Sequence, residues 1–253
     1  MPGLIVREIE AKSILNPSKI YDYCVNPYTG CQVACAYCYA ALFMRRYSGH
    51  SEPWGAFVDA KVNAPALLAK QIVRAKRGTI WFASVCDCYQ PLEERFALTR
   101  RSLEVLAGRD FPVVIQTKSA RVRRDLDVIR RIPSVEVGFS IATEDETVIR
   151  TFERASSPVL ERIEVLREFK AAGIPTFAFA GPLLPGNPER LAVLLAGAVD
   201  RVLVDRMNYV PAVKAFYARL GLLDALTDTF FRTQSARLAK ALRARGIGVE
   251  QVF

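Results

Sequence analysis

Histidine is almost missing from this chain, with His50 the only one among 253 residues. A structural zinc centre closes a tetrahedron with paired C-x2-C elements or with histidines. Only one C-x2-C pair is present, so a zinc framework is not expected. Cysteine is scarce too: six residues in a chain that is 51% hydrophobic do not make a disulfide scaffold. No apolar run is long enough to cross a membrane, and Met1-Pro-Gly-Leu-Ile-Val-Arg-Glu8 lacks the charged start and apolar core of a signal peptide. Linkers, internal repeats and low-complexity tracts are absent, which favours one domain over residues 1–253. These absences together lead us to expect a cytoplasmic protein with no membrane partner.

Acidic residues are the minority charge, 26 against 35 basic ones, for a net +9. Such a surplus invites a nucleic-acid partner. It is distributed as Arg121, Arg123 and Arg124 at the start of one expected helix, Arg130 and Arg131 at its end, and Arg232, Arg237, Arg243 and Arg245 along a C-terminal helix. Solvated helix faces have the same look, so charge alone leaves both readings open.

The informative part of the chain is Gly30-Cys31-Gln-Val-Ala-Cys35-Ala-Tyr-Cys38-Tyr39, a C-x3-C-x2-C run that stops at three. A four-iron, four-sulfur cluster in an electron-transfer protein takes four thiolates. Three ligands in one tight turn would leave one iron open to a group that is not protein. Tyr37 and Tyr39 flank the third cysteine, where an aromatic ring can cover a cluster.

Short β-branched runs alternate with helical patterns, which points to βα units and a parallel sheet. Strands are expected near residues 21–25, 79–85, 113–117, 135–141, 176–180 and 201–204, with helices near 64–75, 93–106, 123–131, 158–172 and 188–198. Asn63 can cap the first helix and Gly173 can end the fourth. The barrel core would span about residues 20–206. From about Pro211 the pattern turns helical, over 213–220 and 228–245, and a tail at 247–253 could add an edge strand or cover the barrel's open side. In α/β barrels the reactive groups sit at the C-terminal ends of strands. The cysteine run, Cys86 with Asp87, Lys118, Ser140 and Ala180-Gly181-Pro182 all follow or end expected strands.

The cysteine run resembles that of the radical S-adenosylmethionine (SAM) superfamily, with Tyr37 as the aromatic before the last cysteine. Over roughly residues 21–190 the chain is similar to the spore photoproduct lyase-like subgroup. The matching segments are Asn26–Cys31, Asp87–Glu93, Thr117–Ser119, Phe139–Ile141, Phe152-Glu153, Ser157-Pro158 and Glu161-Arg162. The resemblance implies an α/β fold, a partial (β/α)6 TIM-like barrel with a short helical C-terminal extension. It implies a [4Fe-4S] cluster on Cys31, Cys35 and Cys38, with S-adenosyl-L-methionine on the open iron. Reductive cleavage of that cofactor would give a 5'-deoxyadenosyl radical, which abstracts hydrogen from a substrate. Lys118 would meet the methionine carboxylate, Ser140 the ribose or methionine end, and Tyr37 the adenine, with Ala180 beside the cofactor. Asp87 would hold ribose hydroxyls or cap the following helix. A reductant such as flavodoxin or ferredoxin is implied; the substrate could be a small molecule, a peptide or nucleic acid.

Cys86-Asp87-Cys88-Tyr89 departs from the subgroup, which more often reads Thr-Asp-Pro-Tyr there. On an extended segment, alternation would put both sulfurs on one face. Three roles are open: return of a hydrogen atom to a product radical, ligation of a second metal centre with Cys24, or burial. Tyr89 is grouped with this catalytic pair, and Tyr89 or Tyr209 could stack on an extruded base. His50, in Ser48–Glu52, is more readily local scaffolding than catalytic. Two further readings remain: a DNA-repair lyase of the spore photoproduct type, and a non-catalytic iron–sulfur redox protein. Against the former, the C-terminal Arg245–Phe253 carries no Gly/Tyr-rich hairpin.

Overall fold

A computed structural model describes residues 3–252. They form two compact units. The first comprises residues up to Ala34 together with Ala40–Glu136, and the second comprises Cys35–Tyr39 together with the chain from Val137 onward.

In the first unit the strands are β1 (Ile5–Ile9), β2 (Leu15–Pro17), β3 (Tyr23–Val25), β4 (Tyr28–Thr29), β5 (Phe57–Lys61), β6 (Ile80–Phe82) and β7 (Val113–Thr117). Strands β3, β6 and β7 run parallel, with Val25 opposite Phe82 and Phe82 opposite Ile115; β2 pairs antiparallel to β3. Ile80, Phe82, Val113 and Ile115 are buried, which explains why these segments read as continuous apolar runs. A second small sheet, in which β5 pairs parallel to β1 and antiparallel to β4, has no counterpart in the expected elements. β4 is only two residues long and β1 is mostly exposed, so alternation gave little signal there; β5 is buried but carries Asp59 and Lys61 among its five residues.

The helices of this unit are α1 (Met44–Ser48), α2 (Ala64–Ile72), α3 (Glu93–Phe96), α4 (Leu98–Leu106) and α5 (Leu126–Ile129). The single helix expected over 93–106 is broken at Ala97, whose φ is +48°. Glu93 is the cause: its buried carboxylate accepts the Thr99 and Arg100 amides, groups that a continuous helix would bond to its own carbonyls. The helix expected over 123–131 is likewise a 3-10 turn, Ala120–Asp125, followed by the one-turn α5. Asn63 does not cap α2 through its side chain; its amide exchanges hydrogen bonds with the Ala11 backbone.

The second unit carries β8 (Val135–Ser140, from Val137 on), β9 (Thr176–Ala180), β10 (Arg201–Val204) and β11 (Gly248–Gln251). All are parallel: β9 pairs with β8 and β10, and β11 adds the expected edge strand beside β10. Its helices are α6 (Glu146–Phe152), α7 (Val159–Ala171), α8 (Pro188–Leu195), α9 (Val210–Arg219) and α10 (Asp228–Arg243). Asp145, Asn187 and Thr227 cap α6, α8 and α10 with side-chain oxygens, and Gly173 follows α7 with φ +79°. Gly138 has no room for a side chain, since a Cβ there would lie 2.2 Å from the Phe177 ring on the neighbouring strand. The expectation of an α/β fold with mostly parallel strands therefore holds. No helix among the described residues is long and apolar enough to cross a membrane.

Candidate functional site

In the first unit the cysteine loop is shaped by close packing. Gly30 has φ +89°, and a Cβ on it would meet the Phe57 carbonyl oxygen at 2.3 Å. Gly55 leaves space for Ala34, itself left-handed at φ +51°. Two glutamines zip this loop to the one after β6. Gln90 accepts the Gln32 amide at 2.9 Å and donates to the Gly30 carbonyl, while Gln32 accepts the Leu92 amide at 2.7 Å. The backbone N–H of Asp87 points at the Cys31 sulfur, 3.3 Å away.

Asp87 ties the loop after β6 to the end of β7. Its carboxylate accepts from the Thr117 hydroxyl at 2.6 Å, the Lys118 amide at 2.7 Å and the Tyr89 amide at 2.9 Å. Of its two expected roles, the helix cap is not found: none of these donors belongs to α3, whose start takes no side-chain cap. Lys118 follows β7 directly and is half-buried. Gln32, Gln90 and Glu93 were given no role in the sequence reading, although Gln90 and Glu93 lie in a segment that carried the resemblance.

The segment after β6 is not extended. The strand ends at Phe82 and residues 84–90 form bends and turns, so the alternation assumed for Cys86 and Cys88 does not apply. Cys86 is half-buried against a cluster of Tyr28, Val58, Ala60 and Leu98. Cys88 is fully buried, and its thiol pKa is pushed up by that burial and by the Asp87 carboxylate. Tyr89 is fully buried as well, with burial and Asp125 raising its phenol pKa, so it offers no face to a base; Tyr209 is 39% exposed. Lys61 donates to the Asn26 carbonyl at 2.8 Å, and burial lowers its pKa against the opposing pull of the Cys86 and Cys24 sulfurs. His50 is buried scaffolding, bridged by Glu52 at 2.8 Å and Asp59 at 2.9 Å and stacked on Phe57 at 4.1 Å.

In the second unit, Cys35 and Cys38 close one turn, with the Cys38 amide donating to the Cys35 carbonyl at 3.1 Å. That turn leans on the end of α6: the Ala36 amide donates to the Phe152 carbonyl at 2.8 Å, and the Tyr37 hydroxyl donates to Glu153. Burial, then the Glu153 carboxylate, raise the Tyr37 pKa. Ser140 ends β8 and is buried; Ala180 ends β9, and its carbonyl accepts the Asp205 amide. Asp205, at the end of β10, is a half-buried carboxylate whose pKa burial raises, and the sequence reading passed it over.

The radical SAM superfamily profile matches residues 25–195. The chain belongs to the radical SAM superfamily. This places it among the radical SAM enzymes. It is 37% identical over 180 residues to an uncharacterized protein of Methanocaldococcus jannaschii, covering 70% of this chain and 67% of that protein. An uncharacterized Mycobacterium tuberculosis protein is 30% identical over 195 residues, covering 72% of this chain and 57% of the relative. Among solved structures, spore photoproduct lyase complexed with dinucleoside spore photoproduct superposes with a TM-score of 0.71 at 17% identity, covering 98% of this chain and 82% of the lyase. Streptococcus suis SuiB bound to precursor peptide SuiA gives 0.57 at 12% identity, covering all of this chain and 50% of SuiB. At such identities the likeness is one of fold.

The donor set suits the family's cluster. Three cysteines closely spaced in sequence, one receiving a backbone N–H, are what iron–sulfur ligation asks of a protein.

Proposed function

We propose that this protein is a radical SAM enzyme of the spore photoproduct lyase-like group, built as a partial (β/α)6 barrel in one domain. Cys31, Cys35 and Cys38 would hold a [4Fe-4S] cluster whose open iron takes S-adenosyl-L-methionine. When bound, that pair supplies one-electron cleavage of a carbon–sulfur bond and, through it, hydrogen abstraction from a substrate. The observation that carries the reading is Asp87, which presents its amide to the Cys31 sulfur and its carboxylate to Thr117 and Lys118. One residue thereby couples a cluster ligand to the strand end that bears the candidate carboxylate-binding lysine.

The chain's own residues would act by position. Lys118 offers a compact positive charge to an anionic cofactor end. Ser140 and Ala180 end neighbouring parallel strands, and Tyr37 sits between two ligands, its ring fixed at the hydroxyl. Cys86 is the candidate hydrogen-atom donor, because it is half-buried where Cys88 is fully buried. The Lys61 ammonium between Cys24 and Cys86 counts against a second metal centre there, since it would repel a cation.

Anaerobic reconstitution with iron and sulfide, then reduction with S-adenosyl-L-methionine, tests this reading. We expect about four irons per chain and release of 5'-deoxyadenosine. A reduced, iron-loaded protein that yields no 5'-deoxyadenosine is a redox carrier, and the enzymatic reading fails. Iron near twice that level would restore the second centre. Assay with a dinucleotide lesion separates out the DNA-repair lyase. Cys86→Ala should leave cofactor cleavage intact and impair product formation; unchanged turnover would remove the donor role.

A further inference from the structure

We propose that the buried Glu153–Arg162 pair is a positioning device for the Cys35–Cys38 turn, and that without it the turn holds iron poorly. The proposal rests on the reading of these cysteines as cluster ligands. Both side chains are fully buried and lie 2.8 Å apart. Arginine is almost never fully buried unless it is paired, and this one is committed to three separate oxygens. Its Nε donates to the Ser157 carbonyl at 2.7 Å, its Nη1 to the Ser140 carbonyl at 2.8 Å, and its Nη2 faces Glu153. The other carboxylate oxygen of Glu153 accepts the hydroxyl of Tyr37, which lies between Cys35 and Cys38. The adjacent Phe152 carbonyl takes the Ala36 amide. A continuous polar chain thus runs from the cysteine turn through Glu153 and Arg162 to the last residue of β8.

Stability is a poor account of this arrangement. Replacing a buried ion pair with apolar residues of similar volume is often neutral or stabilising, because two desolvated charges regain little by meeting. What the pair supplies is geometry. A guanidinium is planar and its donors are fixed in direction, so two bonded carbonyls and a carboxylate ion-paired at 2.8 Å define where β8, the start of α7 and Glu153 stand. Tyr37 then has one position, and the turn around it follows. Contacts that orient metal ligands characteristically change metal affinity or activity by about 10–100-fold when removed.

The test compares the unaltered protein with Glu153→Met/Arg162→Met, Arg162→Lys and Tyr37→Phe. All are reconstituted anaerobically; the readouts are the rate of iron loss to a chelator and the electron paramagnetic resonance spectrum of the reduced cluster. Melting of the cluster-free protein reports folding. The apolar double variant should melt at or above the unaltered protein, yet lose iron about 10-fold faster, with an altered spectrum. Arg162→Lys keeps the charge but not the three-way fork, so it should fold and behave like the double variant. Tyr37→Phe deletes one hydroxyl, leaves the ion pair intact, and should show the mildest loss. Unaltered iron retention and spectrum in a folded double variant overturn the proposal; if that protein does not fold, the same result in both single variants does so. An unaltered protein that takes up no iron overturns the cluster reading and this proposal with it, so the two failures are distinguishable.

Discussion

At the scale of single residues, the two cysteines after β6 differ in what surrounds them. Burial raises the Cys88 thiol pKa and leaves no path to its sulfur, whereas Cys86 is half-buried. Only a thiolate reacts with an alkylating agent. Iodoacetamide followed by peptide mass mapping should therefore modify Cys86 in the folded protein and reach Cys88 only after denaturation; labelling of both at equal rates contradicts the burial. Ala97 is a second informative residue. A left-handed conformation costs a residue with a Cβ about 1–2 kcal/mol, and Ala97 adopts it at φ +48°. Ala97→Gly should raise stability by about 0.5–1 kcal/mol after the entropy of the unfolded glycine is counted, visible as a higher midpoint in denaturant. Neither feature was legible in the sequence: the burial of the two cysteines is set by tertiary packing, and the break at Ala97 by the place Glu93 takes in the core. The three proposed ligand cysteines were legible, since their spacing lies within one turn of chain.

Among elements, α4 and α5 are joined by arginine. Arg100 on α4 bonds Asp125 at 3.1 Å and Asp127 at 2.7 Å, which anchors the short helix that replaced the longer one expected. The Arg100 guanidinium holds the Asp127 carboxyl at about 2, below its ordinary 3.8. The native state thus binds this proton less readily than the unfolded chain. The contribution is complete above pH 3.8 and is lost as pH falls through about 2. Melting curves should show the native protein above Asp127→Asn at pH 5, with the gap closing toward pH 2. High salt should narrow it, because Asp127 is largely exposed. Strand and helix existence in the repeating βα stretch was readable from apolar runs and caps. Element ends were not, since the Glu93 carboxylate breaks the helix at Ala97 and the Ser119 hydroxyl takes the Arg121 amide in a short turn, and the apolar pattern records neither.

Across the molecule, the surplus of +9 looks less like a nucleic-acid surface than its arginine count suggests. Arg77, Arg95, Arg121, Arg201 and Arg237 each face a carboxylate, and Arg100 and Arg124 face more than one. Because these seven arginines already meet carboxylates, the arginine count overstates the cations available to phosphates, and the logarithm of any oligonucleotide affinity should fall with that of salt by a slope shallower than about −4. A steeper slope, measured between low and physiological salt, would revive the nucleic-acid partner. Packing between strands sets a different limit on the second unit. Gly138→Ala forces a methyl into the Phe177 ring and should cost about 1–3 kcal/mol, read as a lower denaturation midpoint.

Sequence alone determined the superfamily, the spacing of the three proposed ligand cysteines and the alternation of strand and helix, because each is written in near-neighbour spacing. It left open what the residues between those landmarks do. Only the folded chain brings Asp87 to the Cys31 sulfur across 56 positions and Tyr37 to Glu153 across 116. Such contacts are specified by the packing of whole strands and helices and leave no local pattern. The proposed open corner of a cluster thus rests on the cysteine spacing, and the contacts that Cys31 and Tyr37 make are a property of the fold.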